Sequence, residues 1–166
     1  MKANIANITP GEGLGDLKFG MQRADVKALL GEPDEVESQS HDDDDDDVTE
    51  SWHYDEIEVS LSFDKVEDWK LCTIAVSNPE VKMHDKKVIG LSKDGLVEAL
   101  KKMKITNLSY DDWSSAEMPD SMTITADDDE IVFWIEDGTV MDVQWGPLFI
   151  DEDTIKWPVN GHLSKN

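Results

Sequence analysis

Between Ile57 and Phe63 the chain alternates strictly: Ile57, Val59, Leu61 and Phe63 point one way, Glu58, Ser60 and Ser62 the other. A period of two predicts a half-buried strand with one wet face. "LCTIAVS" predicts the next strand, ended by Asn78-Pro79. "GMQRADVKALLGEP" (Gly20 to Pro33) has a different period: Val26, Leu29 and Leu30 share one face, Gly31 suits the end of a helix, and Pro33 blocks its continuation. "GLSKDGLVEALKKM" (Gly90 to Met103) predicts a second helix. Ser92 is its N-cap, Leu96, Val97, Leu100 and Met103 its apolar face, and Lys101, Lys102 and Lys104 lie at its C-terminal end. Two polar loops are expected, Glu32 to Glu50 and the tryptophan-containing Asn107 to Asp120. Three strands follow the second loop: "SMTITA", "EIVFWI" and "TVMDVQW", the last two joined at the hairpin turn Glu136 to Gly138. Alternation puts Ile131, Phe133 and Ile135 on the core side and Val132 and Trp134 on the other. Across the hairpin it sets Met141, Val143 and Trp145 against Val140, Asp142 and Gln144, which places Val140 beside Trp134 among acids.

The order helix, acidic loop, antiparallel strands occurs twice. At a shift of 70 residues Gly20 meets Gly90, Val26 meets Leu96 and Leu30 meets Leu100; at 72, Leu61 meets Phe133. This predicts an α+β protein of two similar units, each a short helical segment packed on an antiparallel sheet. The first unit is 1–84 with its acidic loop at 32–50; the second is 85–166 with a C-terminal tail.

Gly20, Met21, Val26, Leu29, Leu30, Gly31 and Pro33, followed by Trp52 and Tyr54, form a pattern that resembles the unit shared by β-lactamase inhibitory proteins and small outer-membrane lipoproteins of the SmpA/OmlA type. The second half lacks the Leu-Gly-x-Pro ending and the Trp-x-Tyr pair. The resemblance implies two units whose sheets make one curved surface. It also implies binding of proteins and no catalysis.

Charge narrows the choice of partner. The chain has 166 residues, 38 acids, 15 bases and a formal charge of −23. Such a surface repels nucleic acid and anionic membranes, and speeds capture of a basic protein. The acid falls in two blocks. Glu32 to Asp68 holds 17 acids and one base; Asp111 to Asp153 holds 14 acids and no base; seven lysines lie between Lys82 and Lys104. Cys72 is the one cysteine, so no disulfide forms within the chain. With no apolar leader, lipidation cysteine or membrane-length apolar run in the sequence, a soluble cytoplasmic protein is expected.

"HDDDDDDVTE" places six aspartates in a row, Asp42, Asp43, Asp44, Asp45, Asp46 and Asp47. A calcium loop alternates its acids around a glycine, which this run does not, so no metal site is assigned. A solvated loop and an acidic arm that meets a partner's lysines and arginines both fit. "DDDE" (Asp127, Asp128, Asp129, Glu130) suits a turn. The histidines are scattered singly, and no nucleophile elbow or phosphate-binding loop is present. Neither cofactor nor catalytic residue is assigned. Cys72, in an apolar run, reads as an inert core thiol, and His53 as a surface residue or one with satisfied hydrogen bonds. Trp134 on a wet sheet face and Trp113 in "YDDWSSAE" are candidate anchors for a protein partner.

The expected function is therefore inhibition without catalysis. A cytoplasmic immunity protein would neutralise a basic bacterial toxin, in its concrete form a nuclease, through Asp42 to Asp47, Asp111, Asp112, Trp113, Asp127 to Asp129 and Trp134. An assembly or chaperone-like module of the lipoprotein-related fold, a metal-dependent hydrolase, and acidity that serves only solvation in high salt are the alternatives.

Overall fold

The computed structural model describes residues 7–40, 48–84, 86–116, 121–128, 130–149 and 154–156. In chain order the elements are β1 (Asn7–Thr9), β2 (Gly13–Leu14), β3 (Leu17–Lys18), α1 (Arg23–Leu30), β4 (Glu35–Ser40), β5 (Val48–Tyr54), β6 (Val59–Asp64) and β7 (Lys70–Val76). There follow β8 (Lys82–Met83), β9 (Lys86–Lys87), α2 (Lys93–Lys102), β10 (Leu108–Asp112), β11 (Met122–Ala126), β12 (Ile131–Glu136), β13 (Thr139–Trp145), β14 (Leu148–Phe149) and β15 (Ile155–Lys156). The fold is α+β and mostly strand.

Its frame is an eight-stranded antiparallel sheet in the order β10-β11-β12-β13-β7-β6-β5-β4. A smaller sheet has the order β3-β2-β1-β8-β9, and β14 pairs with β15. The register sorts the large sheet into two faces. Val36, Trp52, Leu61, Ile74, Trp145, Ile131, Ala126 and Leu108 lie opposite one another across all eight strands, an unbroken apolar row. The residue before or after each of these forms the polar row Glu35, His53, Ser60, Ala75, Gln144, Val132, Thr125 and Ser109. Because side chains alternate along a strand, the two rows face opposite ways.

Between the two edge strands the apolar face is covered by the helices and the smaller sheet. Val26 of α1, Leu96 and Leu100 of α2, and Ile8, Leu14 and Met83 of the smaller sheet are buried in one core with it. Phe19 meets Trp145 edge-on, ring centroids 6.5 Å apart. The helix signals act as predicted: Ser92 Oγ accepts from the Gly95 amide at 3.0 Å, and Gly31 ends α1 at φ 85°.

Three expectations are corrected. The polar stretch Glu32 to Glu50 is not all loop: Glu35–Ser40 is the edge strand β4, paired along its length with β5. Leu108–Asp112 is likewise the opposite edge strand β10, inside the expected loop Asn107 to Asp120. Both strands are exposed along nearly their whole length, so neither carries an alternating apolar signal. Third, the register shifts between Trp134 and Ile135, where Trp134 faces Asp142 and Ile135 faces Val140. Met141 is the extra residue and stays exposed, and Val140 turns into the core instead of lying beside Trp134.

Candidate binding face

The polar face of the large sheet collects the chemistry. At its centre the side chains are small: Ser60, Ser62, Thr73 and Ala75 on β6 and β7, with Ser77 just beyond. Short side chains beside longer ones leave a cleft of about 440 Å³, lined by Glu35, Glu37, His53, Glu58, Ser60 and Asp142 among others. Five carboxylates line it (those four acids and Asp55) and no lysine or arginine does. His53 is held on both sides, Nδ1 2.8 Å from Ser60 Oγ and Nε2 2.8 Å from Glu37 Oε1. Both ring nitrogens are hydrogen-bonded, which selects the second of the two readings the sequence left open, a surface residue or a satisfied one.

On the β10 side, aromatics flank this face. Trp134 lies opposite Asp142 on β13 and Thr123 on β11. Trp113, just past β10, folds back so that its Nε1 donates to Thr123 Oγ1 at 3.0 Å. Its ring then lies 6.3 Å from that of Trp134, tilted by 31°. Trp113 and Trp134 remain 55% and 38% exposed, and Met141, the bulge residue next to Asp142, 48%. No other pair of neighbouring exposed aromatics occurs among the described residues. Such a patch on a water-facing sheet fits a protein-binding anchor.

Asp142 stands between the cleft and the tryptophans. Its Oδ1 is buried and has no hydrogen-bond partner among the described residues. Burial pushes its carboxyl up to about 6 from the ordinary 3.8, because the charged form loses hydration that nothing replaces. This residue was missed in the sequence, where one aspartate among 38 acids carries no signal.

The other predicted residues are scattered. Asp111 and Asp112 line a separate cavity of about 540 Å³ with Lys93, Tyr110, Met122 and Asp137. Asp112 is held below the usual carboxylate range by hydrogen bonds from Ser114. Asp127 and Asp128 form the turn between β11 and β12, accepting from Ser109 and Asn107. That turn is at the far end of β11 from Thr123 and the tryptophans. Asp42 to Asp47 and Asp129 lie outside the described residues. Cys72 is buried, and burial raises its thiol to about 12, which keeps it inert at neutral pH. Among the described residues no cluster of His, Cys, Asp and Glu is arranged to hold a metal ion, and no helix is long and apolar enough to cross a membrane.

No family model matches the chain, and no curated protein does. Two solved structures resemble it weakly. An extracellular protein containing a SCP domain from Bacillus anthracis aligns at a TM-score of 0.44 with 18% identity, over 78% of this chain and 44% of that one. The uncharacterized protein yfeY from Escherichia coli aligns at 0.44 with 14% identity, over 88% and 99%.

Proposed function

We propose that the chain is a protein inhibitor without catalytic activity, which binds a basic bacterial protein on the polar face of its large sheet. In its concrete form it is a cytoplasmic immunity protein against a cationic nuclease toxin. One observation carries the reading: the exposed Trp113–Trp134 pair adjoins an acid-lined cleft that holds no lysine or arginine. Tryptophans anchor a complex through desolvated contact. Acids steer a basic partner to it and oppose wrong ones. A nuclease fits because its phosphate-binding site is itself cationic.

We also read the architecture as two copies of one unit, 1–84 and 85–166, in line with the resemblance to β-lactamase inhibitory proteins. Paired details about 70 residues apart support this. The Gly20 amide donates to Leu71 O and the Leu71 amide to Met21 O; the Gly90 amide donates to Val140 O and the Val140 amide to Leu91 O. Gly20 and Gly90 have φ 96° and 101°, and Glu58 and Glu130 both have φ 56°. Four strands of the large sheet follow each helix, and the two sets meet at the β7–β13 pairing.

The test is capture from source-cell lysate on the immobilised chain, at low and then moderate salt, read by mass spectrometry. Retention of one basic protein at moderate salt is expected, and Trp134→Ala should release it at least tenfold faster, with the change in dissociation rate. Ser in place of Asp42 to Asp47 leaves folding intact and slows association if the run steers the partner. Capture of only scattered basic proteins, all lost as salt rises, removes the inhibitor reading.

A further inference from the structure

We propose that the polar face receives one arginine side chain of its partner, with the guanidinium paired to Asp142 and stacked on Trp134. This rests on the protein-binding reading above and names the group that the face recognises.

Three observations converge on the spot. Asp142 Oδ1 is buried without a hydrogen-bond partner among the described residues, so a charged acceptor stands unmatched there. Trp134 is its direct cross-strand neighbour on the same face and keeps part of its ring open. The cleft on the other side of Asp142 has room for an extended side chain, and its lining carries five carboxylates and no lysine or arginine. A buried carboxylate without a counter-charge is costly, and a bound cation with N–H donors relieves it.

Arginine is chosen over lysine for the shape of its head group; the molecule pairs each with a tryptophan and an acid, but Lys27 more loosely, its Nζ 5.6 Å from the Trp52 ring centroid and 3.5 Å from Glu32 Oε2. Arg23 lies with Cζ 4.4 Å from the Trp69 ring centroid and Nη1 3.2 Å from Glu50 Oε1, while Trp52 Nε1 donates to that same oxygen at 2.7 Å. There the chain completes an arginine–tryptophan–carboxylate set from its own residues. At Trp134 and Asp142 it supplies the tryptophan and the carboxylate only. A planar, weakly hydrated guanidinium stacks on a ring and pairs with a carboxylate at once; an ammonium is a compact, strongly hydrated point charge.

The experiment titrates the ¹⁵N-labelled full chain with acetyl-Gly-Arg-Gly-amide and follows amide and indole N–H shifts. Controls are the lysine peptide and the citrulline peptide, which keeps the arginine shape without its charge. Saturable shifts of the Trp134 indole and of amides around Asp142 are expected, with at least tenfold weaker binding for the citrulline peptide and weaker binding for the lysine one. Asp142→Asn should weaken the arginine peptide at least tenfold with a native-like spectrum, whereas Asp94→Asn with Glu98→Gln, exposed acids on α2 away from this face, changes it by less than threefold. Unsaturable shifts spread over the acidic surface, or equal binding by Asp142→Asn, overturn the proposal, and equal binding of lysine overturns the choice of arginine. A basic partner that Trp134→Ala releases but Asp142→Asn retains refutes the arginine site while leaving the inhibitor reading standing.

Discussion

Asp142 sets stability against charge at a single position. Its carboxyl titrates near 6 in the folded chain against 3.8 as the ordinary value. The folded state therefore holds its proton more tightly than the unfolded state. The protonated form's contribution is complete below about 3.8 and is lost as pH rises through about 6. Asp142→Asn removes the charge at constant shape. At pH 7 it should stabilise the chain by about 1 kcal/mol, a figure reduced for the carboxyl's remaining exposure. Urea melts at pH 7 and pH 4 check this: the gain belongs to pH 7 and vanishes at pH 4. Tyr54 has its hydroxyl raised to about 12, chiefly by burial and then by Glu32 and Asp34, and donates to Gly31 O at 2.8 Å. Tyr54→Phe leaves that carbonyl without this donor and should cost about 1 kcal/mol in the same melts. Residues of this kind were only half legible. Tyr54 and Trp52 stood out by type and spacing, whereas Asp142 becomes distinctive only when the strands bury it.

At the scale of elements, legibility followed burial on one side. The strands β6 and β12 bury every second residue, so alternation marked them in advance, whereas β7 and β11 were read from their apolar or β-favouring composition. Both helices announced themselves by an apolar stripe and a terminal signal. Ser92→Ala removes the N-cap hydrogen bond of α2 and should cost about 1 kcal/mol, measurable as a shift in denaturation midpoint. The strands β4 and β10 were hidden because "EVESQS" and "LSYDD" bury almost nothing. Their backbone pairing with a neighbour, not their side chains, makes them strands. The misplacement of Val140 has another origin. One extra residue in a hairpin reverses every later facing, and nothing in "TVMDVQW" marks Met141 as that residue. The candidate face was legible at its tryptophans and illegible at its cleft, whose floor of serines and alanine has no sequence signature.

For the whole molecule, charge is the dominant long-range term. At −23 the folded chain repels itself, and added salt screens this. Raising sodium chloride from about 0.05 to 0.5 M should raise Tm by a few degrees, on the order of 1 kcal/mol for a domain this size. Ser in place of Asp42 to Asp47 should capture part of that rise at low salt and flatten the salt response in calorimetry. The two outer strands of the large sheet also connect this charge to behaviour in bulk. Among the described residues neither has a strand on its outer side, and each sets acids along it: Glu35 and Glu37 on one, Asp111 and Asp112 on the other. Open edges invite strands from another molecule, and like charge on both keeps them apart. That guard depends on ionised carboxyls. Near the sequence pI of about 4.2 it lapses, so acidification should let edge pair with edge between molecules, seen as a rise in light scattering that is absent above pH 6.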